Sequence, residues 1–304
     1  MCRLFGMTAG WRPLRATFWL LEAPDSLAEQ SRRNPDGYGI ATYGPDGLAR
    51  VDKRPAAAYE DEVFAREAKE RESPTFVAHV RYASTGDLRV ENTHPFEQHN
   101  RVFAHNGSVG DLPALQSRLG PSADLIRGDS DSERFFGLIT REIEASNGDV
   151  GVGMVAAARW VAQELPVYSL NCVLATPSEL WALRYPESHR LMMLERAIGG
   201  PTGERHLDAA SPAGAVRVRS AALGARAAVI FASEQMDEDA GWRMLEPGEL
   251  VRVDRDLRVT SQIAIKSPPA HLVRLEDVDP RIARSQRDYR SQSDARRASA
   301  SRAR

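Results

Sequence analysis

Cysteine, lysine and long apolar runs are all scarce in this 304-residue chain. Its two cysteines, Cys2 and Cys172, exclude thiolate zinc ribbons and iron–sulfur clusters, which draw on about four thiolates. They also exclude a small disulfide-stapled scaffold. Of the 40 basic residues only Lys53, Lys69 and Lys266 are lysine. Against 42 acidic residues the formal charge is −2, so no global basic field points to nucleic acid. The longest apolar stretch, 150–158, includes two glycines and ends at Arg159, far short of the ~20 residues a membrane helix needs. The run 16–21 is short and meets Glu22 at once, which is not a secretory signal. The expected setting is the cytoplasm, with reduced thiols and with neither membrane nor nucleic acid as a partner.

What is present is globular material. Hydrophobic residues make up 42% and charged residues 27%, ordinary usage for a folded domain. One domain is expected over 2–280. The segment 281–304 differs: eight Arg against two Asp give it +6 and leave −8 on the preceding 280 residues. Such a tail cannot bury enough surface to offset its ordering entropy and is expected to be disordered. Strand-like runs occur at 2–7, 38–43, 75–82, 101–105, 168–175, 180–185, 190–194, 227–232, 249–254 and 257–265. Helical patterns occur at about 59–71, 131–145 and 151–164. In the second, Phe135, Leu138, Ile139 and Ile143 share one face, and Ser130 with Glu133 forms a capping-box signature. Many strands with few helices in uneven order point to an α+β fold rather than regular βαβ alternation.

Four segments carry candidate chemistry. Cys2 is a small residue behind the initiator, the kind from which methionine aminopeptidase removes Met1. A free α-amine then lies beside the thiol, with ordinary pKa values of ~7.7–8.0 and ~8.5, so one residue can supply both nucleophile and base. The plain alternative is an unremarkable cysteine. Arg81 ends the apolar run 75–82, where its guanidinium can grip a carboxylate bidentately; the plain alternative is a surface ion pair. Asn106-Gly107 follows the run 101–105 as a turn signal, and its Asn amide and Gly N–H can converge on a developing oxyanion. Asp131 opens the 131–145 helix behind the Ser130 cap and can project into a site to hold an ammonium group. Cys172, inside an apolar run, reads as a small core residue.

Together these segments resemble the class II glutamine amidotransferases, which are N-terminal-nucleophile hydrolases. The shared pattern is a terminal Cys, His79-x-Arg81 at a strand end, His105-Asn106-Gly107, and Ser130-Asp131-Ser132-Glu133 opening a helix. The stretches Asn34-Pro35-Asp36-Gly37, Glu91-Asn92-Thr93-His94-Pro95-Phe96 and Ala232-Ser233-Glu234 are similar to the stand-alone, single-domain branch. Where sugar-phosphate amidotransferases have Trp-Ala-Thr-His-Gly after the arginine, this chain has Tyr82-Ala83-Ser84-Thr85-Gly86.

The resemblance spans about 2–265. It implies a four-layer αββα sandwich of two antiparallel sheets. It implies that Cys2 attacks a γ-glutamyl amide and that Asn106 and Gly107 form the oxyanion hole. Arg81 would hold the substrate α-carboxylate and Asp131 its α-ammonium. The substrate is then glutamine or a γ-glutamyl conjugate, cleaved through a thioester to glutamate and ammonia or an amine, with no cofactor. Relatives that use the ammonia carry an acceptor domain, so an ammonia-accepting synthetase subunit is the expected protein partner if there is one.

Three rival readings are weighed against this. His79, His94, His99 and His105 fall close together, but their spacing matches no zinc-ligand motif, and no metal is expected; His94, before Pro95, is expected to order a loop near the site. A protease-like Cys–His pair would place its cysteine inside the fold, often at a helix start, whereas Cys2 opens a strand. A non-catalytic binding or regulatory subunit on the same fold is the alternative from another functional class.

Overall fold

Four layers follow from where alternate side chains of the strands go. The computed structural model describes residues 2–83, 86–197, 207–210, 217–220 and 226–278; the tail expected at 281–304 lies outside them. In chain order the elements are β1 (Arg3–Thr8), α1 (Leu27–Ser31), β2 (Gly37–Tyr43), β3 (Ala49–Arg54), α2 (Glu62–Glu70), β4 (Thr75–Arg81), β5 (Phe96–Gln98), β6 (Arg101–Val109), α3 (Leu112–Arg118), α4 (Asp131–Ala145) and α5 (Val150–Glu164). They continue with β7 (Pro166–Ala175), β8 (Leu180–Leu183), β9 (Met192–Arg196), β10 (Leu207–Ala210), β11 (Arg217–Ser220), β12 (Ala228–Ala232), β13 (Arg243–Met244), β14 (Glu249–Val253), β15 (Val259–Ile263) and β16 (His271–Leu272).

One sheet has the order β13-β9-β12-β1-β4-β2-β3 and the other β15-β14-β8-β7-β6-β5. Both are antiparallel, except that β16 adds to β7 in parallel. β10 and β11 form a separate hairpin.

Side chains two residues apart share a face of a strand, and three buried layers result. Phe5, Met7, Phe76, Ala78 and Ile230 pack outward against Trp19, Leu27 and Phe64. Leu4, Val77, Val102, Ala104, Val173, Phe231 and Val251 fill the space between the sheets. Phe103, Leu170 and Cys172 face Phe135, Ile139, Met154 and Ala158 of α4 and α5. The fold is therefore the expected α+β, αββα sandwich, and Cys172 is the core residue its sequence context implies. Strands buried on both faces read as near-continuous apolar runs, which is why β1, β2, β4 and β7 stand out in the sequence.

Local chemistry sets the helix carrying Asp131. The Ser130 hydroxyl accepts from the Glu133 N–H at 3.2 Å, one half of the capping box. The other half differs from the signature. The Glu133 carboxylate reaches back past the cap to the N–H groups of Arg127 (3.0 Å) and Gly128 (2.7 Å), which pins the approach to the helix. On β2, a Cβ at Gly39 would lie 2.3 Å from the His94 carbonyl oxygen and 2.7 Å from Pro95. Only glycine lets the 94–95 segment rest on the strand backbone, so His94 does belong to an ordered loop over the sheet.

Candidate active site

The space between the sheets changes character at one end. Along β4 the inward positions run Val77, His79, Arg81; along β6 they run Val102, Ala104, Asn106. Along β12 Val229 and Phe231 lead to Ser233, and along β7 Ala175 and Val173 lead to Asn171 and Ser169. On β1, Leu4 precedes Cys2 in space as the chain is followed backward. The apolar members belong to the inter-sheet core. His79, Arg81, Asn106, Asn171, Ser169 and Ser233 are buried polar residues. Register brings these ends together. Leu4 lies opposite His79 in β4, which carries Cys2 to the level of Arg81; Asn106 lies opposite Asn171; and Ser233 N–H donates to the Leu4 carbonyl at 3.1 Å.

Cys2 keeps partial exposure, yet its sulfur is held by backbone. The Tyr82 N–H donates to Sγ at 3.3 Å, and the thiol lies 3.5 Å from the Tyr82 carbonyl oxygen. Burial around the sulfur pushes the thiol pKa up. The Tyr82 N–H, Arg81 and Arg3 pull the other way. The balance favours the protonated thiol, so attack requires a base. Arg3 Nη1 donates to the Cys2 carbonyl at 2.9 Å, and Arg3 Nε lies 3.5 Å from Glu234 Oε1 with both side chains buried. The main chain behind the nucleophile is thereby fixed from the end of β12.

Arg81 is not the surface ion pair of the plain alternative. It is 3% exposed, and its guanidinium donates to the carbonyls of Gly86 (3.1 Å) and Asp87 (3.0 Å). Burial lowers its pKa, and Cys2, Asp36, Asp131 and Asp87 raise it again. Those opposing charges place Arg81 within electrostatic reach of both Cys2 and Asp131. Asp36 helps shape the loop: its N–H donates to the Arg81 carbonyl (3.0 Å) and its carboxylate accepts from Ala83 N–H (2.8 Å). Ser84 and Thr85, in the segment that departs from the sugar-phosphate enzymes, lie outside the described residues.

Asn106-Gly107 is not a turn. β6 runs through both to Val109, paired with β7, and the register shifts between Ser108 and Val109. The ladder overrides the local turn propensity of Asn-Gly, and the bulge re-aims the strand beside the site. Gly107 is obligatory for steric reasons, because a Cβ there would lie 1.8 Å from the Ser169 carbonyl oxygen. Asp131 braces the same irregularity: its Oδ2 accepts from the Val109 N–H at 2.9 Å, and its Oδ1 lies 3.4 Å from Ser132 Oγ. The structure thus brings Cys2, Arg81, Asn106, Gly107 and Asp131 to one end of the sandwich.

Behind them lie three buried histidines. His105 Nε2 donates to the Ser169 carbonyl (3.0 Å), leaving Nδ1 to accept from Ser132 Oγ (2.9 Å). His79 Nε2 donates to the His105 carbonyl (3.2 Å), and His94 stacks on His79 with centroids 4.1 Å apart. Burial drives the His79 pKa down to about 3 and that of His94 well below its ordinary value, so these rings are neutral at pH 7. Among the described residues no group of three or more His, Cys, Asp or Glu is placed to hold a metal ion, and no helix is long and apolar enough to cross a membrane.

Sequence reasoning missed the Tyr82 N–H, the Arg3–Glu234 pair and Ser233 as neighbours of the nucleophile. Ser233 and Glu234 lie in a segment marked only by its resemblance, and nothing local places any of these groups beside Cys2, since each is brought in by sheet pairing.

Comparison with known proteins adds the following. A family model described as glutamine amidotransferases class-II matches residues 1–275. The chain is 30% identical over 159 residues to a probable glutamine amidotransferase DUG3 of Saccharomyces cerevisiae, an alignment covering 45% of this chain and 44% of that protein. It is 28% identical over 280 residues to a gamma-glutamyl-hercynylcysteine sulfoxide hydrolase of Mycobacterium tuberculosis, covering 88% of this chain and 100% of that protein. The chain spans about half or less of the yeast protein and of three other curated relatives that it matches. Among solved structures, a glutamine phosphoribosylpyrophosphate amidotransferase from B. subtilis superposes with a TM-score of 0.59 at 18% identity, over 88% of this chain and 50% of that one. At that identity the likeness carries the fold alone.

Proposed function

This chain belongs to the class-II glutamine amidotransferases, and we propose that it hydrolyses the γ-glutamyl amide bond of glutamine or of a γ-glutamyl conjugate. The observation that carries the proposal is the convergence of the Cys2 thiol, the Arg81 guanidinium, the Asp131 carboxylate and the Asn106-Gly107 backbone at the polar end of the inter-sheet layer. Support for a hydrolase comes from the M. tuberculosis relative, which is matched along its whole length.

In this mechanism Met1 is removed and the freed α-amine of Cys2 takes the thiol proton. An α-amine with a pKa near ~8 suits that task at neutral pH. Sγ adds to the γ-carbonyl carbon, and the carbonyl oxygen becomes an oxyanion facing the Asn106 amide and the Gly107 N–H. The α-ammonium returns the proton to the departing nitrogen, the C–N bond breaks, and a γ-glutamyl thioester remains. Water, deprotonated by the same amine, adds to the thioester; the C–S bond breaks and glutamate leaves. Arg81 and Asp131 grip the α-carboxylate and α-ammonium, which fixes the reacting carbonyl relative to the sulfur. With glutamine the nitrogen product is ammonia, available to a separate acceptor subunit; with a conjugate it is the corresponding amine.

The test is glutamate release from glutamine and from γ-glutamyl-p-nitroanilide. Cys2→Ser is expected to lose at least ~10³-fold in kcat, because the weaker nucleophile keeps the fold but not the chemistry. A Cys2→Ser variant with wild-type turnover would refute the mechanism. Absence of release from both substrates, with Cys2 shown to be the first residue, would favour the binding subunit.

A further inference from the structure

We propose that Ser233 is a positioning residue that sets the orientation of the Asn106 side-chain amide and so presents its N–H to the substrate oxyanion. The inference rests on the hydrolase reading above and deepens it.

Ser233 follows β12 and is 2% exposed. Its Oγ accepts from the Leu4 N–H at 3.0 Å and lies 3.0 Å from Asn106 Nδ2. One hydroxyl therefore joins three strands: β12, whose end it follows; β1, two residues from the nucleophile; and β6, which carries Asn106. The inventory of hydrogen bonds around that hydroxyl is unbalanced. With Nδ2 turned toward Ser233, Oγ receives two donors, while its own proton has no acceptor among the described residues. At the same time Asn106 Oδ1 is buried with no hydrogen-bond partner. A buried acceptor left unpaired is costly, and here an unused donor lies one amide width away.

A half-turn of the amide about its terminal bond pairs Oδ1 with the Ser233 proton and leaves the amide donor, not the acceptor, unpaired; no heavy atom moves appreciably, because the oxygen and nitrogen ends have the same shape. Ser233 Oγ–H then donates to Oδ1 while still accepting from Leu4 N–H. The Nδ2 group moves to the enclosed position that Oδ1 vacates, a donor without an internal acceptor. That is the property required of an oxyanion-hole group. It must be paired on one side, so that it cannot rotate, and unpaired on the other, so that it is spent only on the developing charge. The backbone of Asn106 is held independently, since its carbonyl accepts from Ser169 Oγ at 3.1 Å. Ser233 therefore governs the amide orientation and not the placement of β6.

The test is a double-mutant cycle on the full chain with γ-glutamyl-p-nitroanilide, using Ser233→Ala, Asn106→Ala and the double variant. Loss of an oxyanion donor costs roughly 10²–10³ in kcat. Ser233→Ala is expected to lower kcat about 10- to 100-fold with KM within about threefold, because ground-state binding through Arg81 and Asp131 is untouched. In the Asn106→Ala background the same change is expected to cost less than about threefold more, since there is no amide left to orient. Equal losses in both backgrounds, or Ser233→Ala turnover within threefold of wild type, would overturn the inference. Should Ser233→Ala fail to fold, Ser233→Thr and Ser233→Cys replace it: Thr keeps a hydroxyl donor and is expected to retain most of kcat, Cys to lose it, and the reverse order would contradict the proposal. Failure of the underlying reading looks different, since wild type would then release no p-nitroaniline and Cys2→Ser would change nothing.

Discussion

The two ends of the inter-sheet layer are built on the same strands and do opposite things. At one end Val77, Val102, Val173, Val229 and Phe231 interlock as an apolar core. One or two inward positions further along, about 7 Å per step, the same strands present Arg81, Asn106, Asn171 and Ser233. Both ends are buried, so burial does not distinguish packing from chemistry here. What differs is the chemistry of the side chains that the strands present. Arg184, buried elsewhere, donates to three carbonyls and is structural. Asn106 Oδ1 and both ring nitrogens of His94 have no hydrogen-bond partner among the described residues.

If that division is real, damage at the two ends should separate cleanly. The largest effect on stability belongs to the apolar end. Phe231→Ala is expected to cost about 3–5 kcal/mol in denaturant unfolding, while kcat of the protein that remains folded stays near wild type. A comparable fall in kcat would mean the two ends are coupled. At the polar end Arg81→Lys is expected to lower kcat/KM about 100-fold, mostly through KM, because an ammonium cannot reproduce the fork that holds a carboxylate. That ratio is about 2.7 kcal/mol of transition-state binding. The variant should still melt as one cooperative unit; a gain in KM of less than threefold would remove Arg81 from substrate binding.

The smallest effect concerns the histidines between the two ends. The pKa of His94 is depressed by burial in the folded state, against ~6.5 when unfolded. Its contribution to stability is complete above pH 6.5 and is lost as pH falls, because only the unfolded chain takes up the proton. Each such group steepens the acid loss by about 1.4 kcal/mol per pH unit. His94→Phe is expected to flatten the stability profile between pH 6 and 5 by about that slope; an unchanged slope would mean that His94 is protonated in the folded protein.

Much of this was readable beforehand, for physical reasons that also explain the gaps. Strands buried on both faces announce themselves as apolar runs, and α4 does so by its apolar stripe and its Ser130 cap. β3 is not legible, because Arg50, Asp52 and Arg54 alternate with only two small or apolar residues, Ala49 and Val51, and with Lys53 along an edge strand; β5, with three residues, and α1, with five, are too short to show a period. The site residues were legible where chemistry is written in adjacent letters, as in His79-x-Arg81 and Ser130-Asp131. Asn106-Gly107 is legible as a candidate but not in its geometry, because local turn propensity yields to pairing with β7. Ser233 had no role assigned, since its partners Leu4 and Asn106 are 229 and 127 residues away.

The central claim is that the first residue of the mature chain is both nucleophile and base. Intact mass spectrometry of the protein, acid-quenched during turnover of γ-glutamyl-p-nitroanilide, tests it most directly. The account predicts a chain without Met1 that carries a γ-glutamyl adduct mapping to Cys2. A chain that retains Met1 and still turns over at full rate would contradict it.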